Sequence, residues 1–148
     1  MTAPTAPTTE PVPETVQAAA QRFPAGAPLL MVNLLRFRDV AAYGKASEVP
    51  AASGREAYFG NYLPAFNRIA ADKNVEGVEV VFAGQVHAAV IAPPSEHWDL
   101  VAIVRYPDFA AFRRVAESPE YAQHAYPHRA AALADLRLIA TTAFDPSA

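Results

Sequence analysis

Leu29-Leu30-Met31-Val32-Asn33-Leu34-Leu35-Arg36-Phe37 is the stretch whose reading decides the fold. Its length and almost unbroken apolar content suit a strand covered on both faces. Trp98-Asp99-Leu100-Val101-Ala102-Ile103-Val104-Arg105-Tyr106 is a second run of the same kind. Residues 136–144 read as a third. Residues 78–82 and 86–91 are also strand-like and break near Gly84, as one bulged strand or as a hairpin.

Helical patterns lie between these strands. Ser53-Gly54-Arg55-Glu56 matches the capping box, in which serine and glutamate satisfy the free amides of a helix start. Phe59, Tyr62, Leu63, Phe66 and Ala70 follow at helical spacing. Pro64 falls inside this helix and is expected to kink it, since it lacks an amide and crowds the carbonyl of Gly60. Pro107 and Asp108 end the second strong strand and open another helix, with Phe109, Phe112 and Ala116 on one side. Ser118 and Pro119 read as a cap and first-turn proline. Residues 127–134 form the last helical stretch.

The order strand, helix, strand or hairpin, strand, helix, strand is the split βαβ order. It predicts an α+β, ferredoxin-like βαββαβ sandwich with an antiparallel sheet. Two helices cover only one face of four strands, and the strands are apolar on both. A second copy of the chain is the economical cover, so a homodimer built as a dimeric α/β barrel is expected.

The domain is expected over residues 29–144, after a short helix and linker at 14–28. Residues 1–13, rich in proline, threonine and alanine, read as a flexible tail whose composition cannot form a core. Residues 39–52 form a long loop, of the kind often used as a lid or binding loop.

Composition narrows the function classes. The chain has 148 residues, 52% of them hydrophobic, which fits one domain with a real core. Its net charge is −3 and its basic residues form no stripe, which argues against nucleic acid. No apolar run approaches the roughly 20 residues that span a bilayer, and no secretory signal pattern opens the chain. A cytoplasmic protein is expected. The absence of cysteine excludes disulfides, iron–sulfur clusters, thiolate zinc sites and cysteine nucleophiles.

Several motifs together carry a resemblance. They are Asn33 to Arg38, Ala42-Tyr43 and Ser53 to Tyr58 in the first half. In the second half they are Trp98-Asp99, Arg105-Tyr106-Pro107, Phe112, Ser118-Pro119-Glu120-Tyr121 and His128 to Leu133. This pattern resembles the bacterial domain-of-unknown-function family numbered thirteen-thirty, within the dimeric α/β-barrel superfamily. The resemblance implies the fold and the dimer. The wider superfamily holds cofactor-free oxygenases, isomerases, polyketide cyclases and haem enzymes, and fold alone does not choose among them.

Strand alternation places Asn33 with Leu29, Met31, Leu35 and Phe37, and Trp98 with Tyr106. Both sets are assigned to the helix-covered side. Tyr58 and Tyr62, four residues apart, can point back at them, and His128 opens the last helix. The result is a candidate small-molecule pocket with aromatic walls and a few polar groups. His128 is the candidate acid or base, with Tyr62 and Asn33 stabilising an enolate-like oxygen. Tyr58, Trp98, Tyr106 and Arg129 are the candidate substrate-binding residues.

Arg36, Arg38, Asp99, Arg105 and Arg137 fall on the opposite face. There Asp99 is expected to pair with an arginine if two copies meet, and the alternative is an arginine-lined site for an anionic substrate. His124 and His128 have the spacing of a helical metal pair, but Pro127 between them spoils a shared face, so no metal is expected. No nucleotide-binding or serine-hydrolase motif is present, and no cofactor is expected.

Two functional readings follow. One is a cofactor-independent enzyme doing acid/base chemistry (isomerase, cyclase, lyase or cofactor-free monooxygenase) on a small, aromatic or polyketide-like molecule. The other is a non-catalytic small-molecule binder or stress-associated dimer.

Overall fold

The computed structural model of the protein describes residues 9–44, 47–50 and 52–147. Most of the expected tail, residues 1–8, lies outside the described residues, and α1 (Pro13–Arg22) begins at the tail's last proline. Strand β1 (Leu29–Phe37) takes the bounds its sequence suggests and sits inside the sheet. It pairs antiparallel with β3 (Leu100–Tyr106) on one side and β4 (Leu133–Thr141) on the other. Strand β2 (Glu79–Gln85) pairs antiparallel with β3 at one edge, giving the order β2-β3-β1-β4. With a helical crossover after β1 and another after β3, this is the ferredoxin-like fold.

The first crossover comprises α2 (Gly54–Ala57), a π-helical turn at Tyr58–Tyr62 and α3 (Leu63–Asp72). The second comprises α4 (Phe109–Ala116), a π-helical turn at Tyr121–Ala125 and α5 (Tyr126–Ala132). Ser53 caps α2 as its motif implies: its hydroxyl accepts from the Glu56 amide at 3.0 Å, and the Glu56 carboxylate accepts from the Ser53 amide at 3.2 Å.

The two π turns are built alike. Each begins at a tyrosine, each closes with a wide i to i−5 bond, and each is followed by a proline. The Leu63 amide donates to the Tyr58 carbonyl before Pro64, and the Tyr126 amide donates to the Tyr121 carbonyl before Pro127. Proline in an α-helix crowds the carbonyl four residues back. Widening the preceding turn relieves that crowding, so the expected kink at Pro64 is absorbed as a π turn. Tyr58 and Tyr121 thus hold equivalent positions, as do Phe66 and Arg129.

The core lies on the helix side of the sheet. Leu29, Met31 and Leu35 are buried there, with Tyr58, Tyr62, Tyr106 and Tyr121 among them. The opposite face carries Leu30, Val32 and Leu34 of β1, which are only half-buried. Phe82 of β2 and Ile139 of β4 lie on the same face, 52% and 48% exposed. Double-sided burial of β1 is therefore incomplete within one chain.

Element boundaries differ from the sequence reading at several points, and β4 also ends at Thr141 rather than residue 144. Residues 86–91 form no strand. The chain leaves the sheet after Gln85, Val90 and Ile91 stand in solvent, and β2 is a single strand whose register shifts between Val80 and Phe82. Strand β4 starts at Leu133 instead of residue 136, because α5 stops at Ala132 and the buried Leu133 enters the sheet directly. Strand β3 starts at Leu100, which frees Trp98 from the alternation assigned to it.

The long loop after β1 is fixed to the helices where it is described. The Arg38 amide donates to the Ala132 carbonyl, the Ala42 amide to the Ala131 carbonyl, and the Gly54 amide to the Arg38 carbonyl. Gly54 therefore sits where three backbone segments converge.

Candidate functional site

A cavity of about 30 Å³ lies between the sheet and the two crossovers. Asn33 reaches it from β1, Tyr106 from β3, and Tyr58 and Tyr62 from the first π turn. Tyr121 comes from the second π turn and Arg129 from α5. About 10–15 Å³ of such space holds one water, so the cavity has room for two or three waters and little more.

Arg129 dominates the chemistry. It is 7% exposed, and no carboxylate lies within ion-pair distance among the described residues. Its Nη1 donates to the Tyr121 hydroxyl at 2.7 Å, and its Nη2 donates to the Thr9 carbonyl at 3.1 Å. Its Nε is buried with no partner among the described residues. The guanidinium lies 5.6 Å from the Tyr121 ring centre and 5.2 Å from that of Tyr126, so aromatic faces share in holding the charge.

The tyrosines form an array of donors. The Tyr121 and Tyr62 hydroxyls lie 2.9 Å apart. Two hydroxyls carry two protons, and one bond uses only one of them. Whichever residue donates, one O–H of the pair has no acceptor among the described residues. Burial raises the pKa of Tyr58, Tyr62, Tyr106 and Tyr121 above the ordinary tyrosine value, so all four are neutral donors at physiological pH. Asn33 uses its amide to donate to the Met31 carbonyl at 2.9 Å, which satisfies part of its half-buried polar group locally.

His128 and Trp98 are placed elsewhere. The His128 Nδ1 lies 2.7 Å from the Tyr43 hydroxyl, and Asn61 donates to that hydroxyl at 3.0 Å. This half-buried cluster joins the long loop to both crossovers, away from the cavity-lining residues. Partial burial lowers the His128 pKa below the usual histidine value. The Trp98 ring packs under the Arg137 guanidinium at 5.2 Å, and its indole donates to Glu96 at 3.1 Å. Five of the seven residues singled out by sequence thus share the cavity: Asn33, Tyr58, Tyr62, Tyr106 and Arg129.

Tyr121 was singled out only within a motif of resemblance, yet it links Arg129 to Tyr62. Its signal was available in the spacing. Tyr121, Ala125 and Arg129 recur every four residues behind the Ser118 cap, which puts them on one helical face.

Within one chain, and among the described residues, Asp99 makes no ion pair with an arginine, and the expected pairing belongs to two copies meeting. The Asp99 carboxylate accepts from the Phe37 amide at 2.8 Å and faces His97 at 3.1 Å, while Arg137 pairs with Asp135 at 2.6 Å. Among the described residues no group of three or more histidine, aspartate or glutamate side chains is arranged to hold a metal. No helix among them is long and apolar enough to cross a membrane.

A single ferredoxin-like domain with a tyrosine-lined cavity around a buried arginine is the class that this fold and site define. The chain belongs to the family of the RPA0582 protein of unknown function from Rhodopseudomonas palustris. It is 34% identical to that protein over 93% of this chain and 97% of the other, with a TM-score of 0.76. A methylated form of RPA0582 matches at 33% identity over 97% and 100% of the two chains, with a TM-score of 0.77. A dimeric protein of unknown function and ferredoxin-like fold from Bacteroides fragilis is 15% identical over 78% and 95%, with a TM-score of 0.42. No family model and no curated protein matches the chain.

Proposed function

We propose that the protein is a homodimeric small-molecule binder, with its ligand held between sheet and helices against Arg129 and the tyrosines. The observation that carries this reading is a buried arginine with no carboxylate partner among the described residues, at a cavity lined by neutral donors. Burying an uncompensated charge is costly, and a bound ligand offsets that cost. The cavity offers donors and a cation but no group that is a base at neutral pH, which favours binding over acid/base catalysis. A ligand larger than a water or a small ion requires the two crossovers to part.

The test is a thermal-shift screen of small aromatic compounds, repeated on Ala116→Phe. Ala116 lines the cavity, and a ring there would occupy the space that a ligand gains when the crossovers part. Compounds that raise the melting temperature are expected to lose that effect in the variant. A shift that persists unchanged would place the ligand elsewhere and reject this reading.

The enzyme reading is the second, and the 2.7 Å contact between Tyr43 and His128 favours it. On that reading His128 moves a proton at a surface beside the long loop, and the cavity only orients the substrate. Turnover of any substrate that survives His128→Ala within about tenfold would reject it, since positioned acid–base groups typically contribute 100-fold or more.

The dimer rests on the open sheet face. Leu30, Val32, Leu34, Val101 and Ile103 form its centre by strand alternation, with Phe82 and Ile139 beside them. Arg36, Arg105 and Arg137 share that face with Glu79 and Asp135. A two-fold interface must complement itself, and a patch carrying both signs of charge around an apolar centre does so. Sedimentation equilibrium at micromolar concentration should therefore give twice the mass of the 15.9 kDa chain. A monomer there would leave this face without its proposed cover.

A further inference from the structure

The guanidinium of Arg129 presents three edges, and the structure fills them unequally. Nη1 is taken by Tyr121. The remaining side edge consists of Nε–H and the parallel Nη2–H, the pair that a carboxylate takes with both oxygens at once. One oxygen, the Thr9 carbonyl, now sits on Nη2, and Nε has no partner among the described residues. A main-chain carbonyl has one oxygen and no net charge. It can satisfy half of this edge and neutralises none of the cation. Glu10, the next residue, lies against the Tyr126 hydroxyl and is not ion-paired with Arg129.

We propose that this edge of Arg129 is a carboxylate-binding subsite, and that the ligand is a small aromatic monoanion whose carboxylate replaces the Thr9 carbonyl. The inference rests on the cavity reading above and adds the charge and geometry of the ligand. A carboxylate placed there fills Nε and Nη2 together and balances the buried charge. Its ring meets the aromatic side chains already packed around the cavity, where Tyr58 and Tyr62 lie 5.0 Å apart between ring centres.

Benzoate and benzamide separate charge from shape, since they are nearly isosteric and only benzoate carries the anion. Calorimetric titration of the full-length protein should show benzoate binding at least ~10-fold more tightly than benzamide, as expected when a charge-assisted bidentate pair is lost. Arg129→Lys keeps the charge but has no fork, and should weaken benzoate by about the same factor. Equal binding of the two compounds, abolished for both by Ala116→Phe, would overturn the carboxylate subsite and leave the cavity reading standing. Benzoate binding that is unchanged in Arg129→Lys would also overturn it, as would absence of benzoate binding to the unaltered protein. The comparison of benzoate with benzamide needs no variant, so it holds even if Arg129→Lys fails to fold.

Discussion

Gly54→Ala is expected to destabilise the protein by about 3 kcal/mol, near the upper end for overpacking by one methyl group, and to lower its melting temperature by roughly 10 °C. The residue opens α2 directly beneath the end of β1. A Cβ built there overlaps the carbonyl oxygens of Arg38 and Ala132 and lies 2.6 Å from the Arg38 nitrogen. All three atoms are backbone, and all are tied together: Arg38 donates to Ala132, and Gly54 donates to Arg38. No side chain can rotate away to make room. Relief requires lifting α2 off the sheet or breaking these bonds, and lifting α2 would disturb Tyr58 and the cavity wall next to it. Gly60 is the internal control. Nothing lies within 4 Å of its Cβ position, so Gly60→Ala should be neutral or stabilising by up to about 1 kcal/mol. Urea unfolding of the two variants decides the matter. Similar small effects at both positions would mean that the junction at Gly54 is looser than the structure has it.

The second large effect is expected in alkali. Tyr58, Tyr62, Tyr106 and Tyr121 have pKa values raised from 10.0, with burial the largest cause in each case. The unfolded chain releases these protons near pH 10, while the folded chain holds them to higher pH. Above pH 10 the unfolded state therefore binds fewer protons than the folded state, and stability falls as pH rises. Below pH 10 the four tyrosines leave stability unchanged. Each contributes a loss of up to ~1.4 kcal/mol per pH unit in that window, against a total stability of order 5–15 kcal/mol. Cooperative unfolding is thus expected within one to a few pH units above 10, with most tyrosinate absorbance appearing in the same step as the loss of circular dichroism. Smooth ionisation near pH 10 with the fold intact would show that the hydroxyls are reached by water. Tyr106→Phe removes one of the four and should move the midpoint to higher pH.

The sheet and both crossovers were legible because their signals are redundant. Strand β1 is apolar over its whole length, and Ser53 with Glu56 marks a helix start by two reciprocal bonds. The stretch at 86–91 misled for a physical reason. His-Ala-Ala-Val-Ile has strand composition, but composition does not supply a partner, and β2 already forms the edge next to β3. Trp98 misled through register: alternation was extended back from Leu100 across Asp99, where the chain has left regular strand geometry. For His128, helix position alone could not say that Tyr43 would come from a distant loop to meet it. The polar cluster of the cavity was legible in its members but not in its hub. Arg129 stood among the candidate substrate-binding residues, and only the folded helices bring Tyr121 and Tyr62 into line with it.

The matched π turns bear on how a guest would lie in the cavity. The βαβ unit occurs twice, and both copies keep the tyrosine and the proline that shape the turn. Walls built from equivalent positions on two arms would not by themselves distinguish one orientation of a guest from the reverse. The side chains break that tie, since Phe66 in the first copy answers to Arg129 in the second, and Tyr62 answers to Ala125. The backbone keeps its two-fold order while the charge belongs to one half alone. A guest in such a cavity has a defined head and tail, and a molecule identical at both ends would leave one of the two halves unmatched.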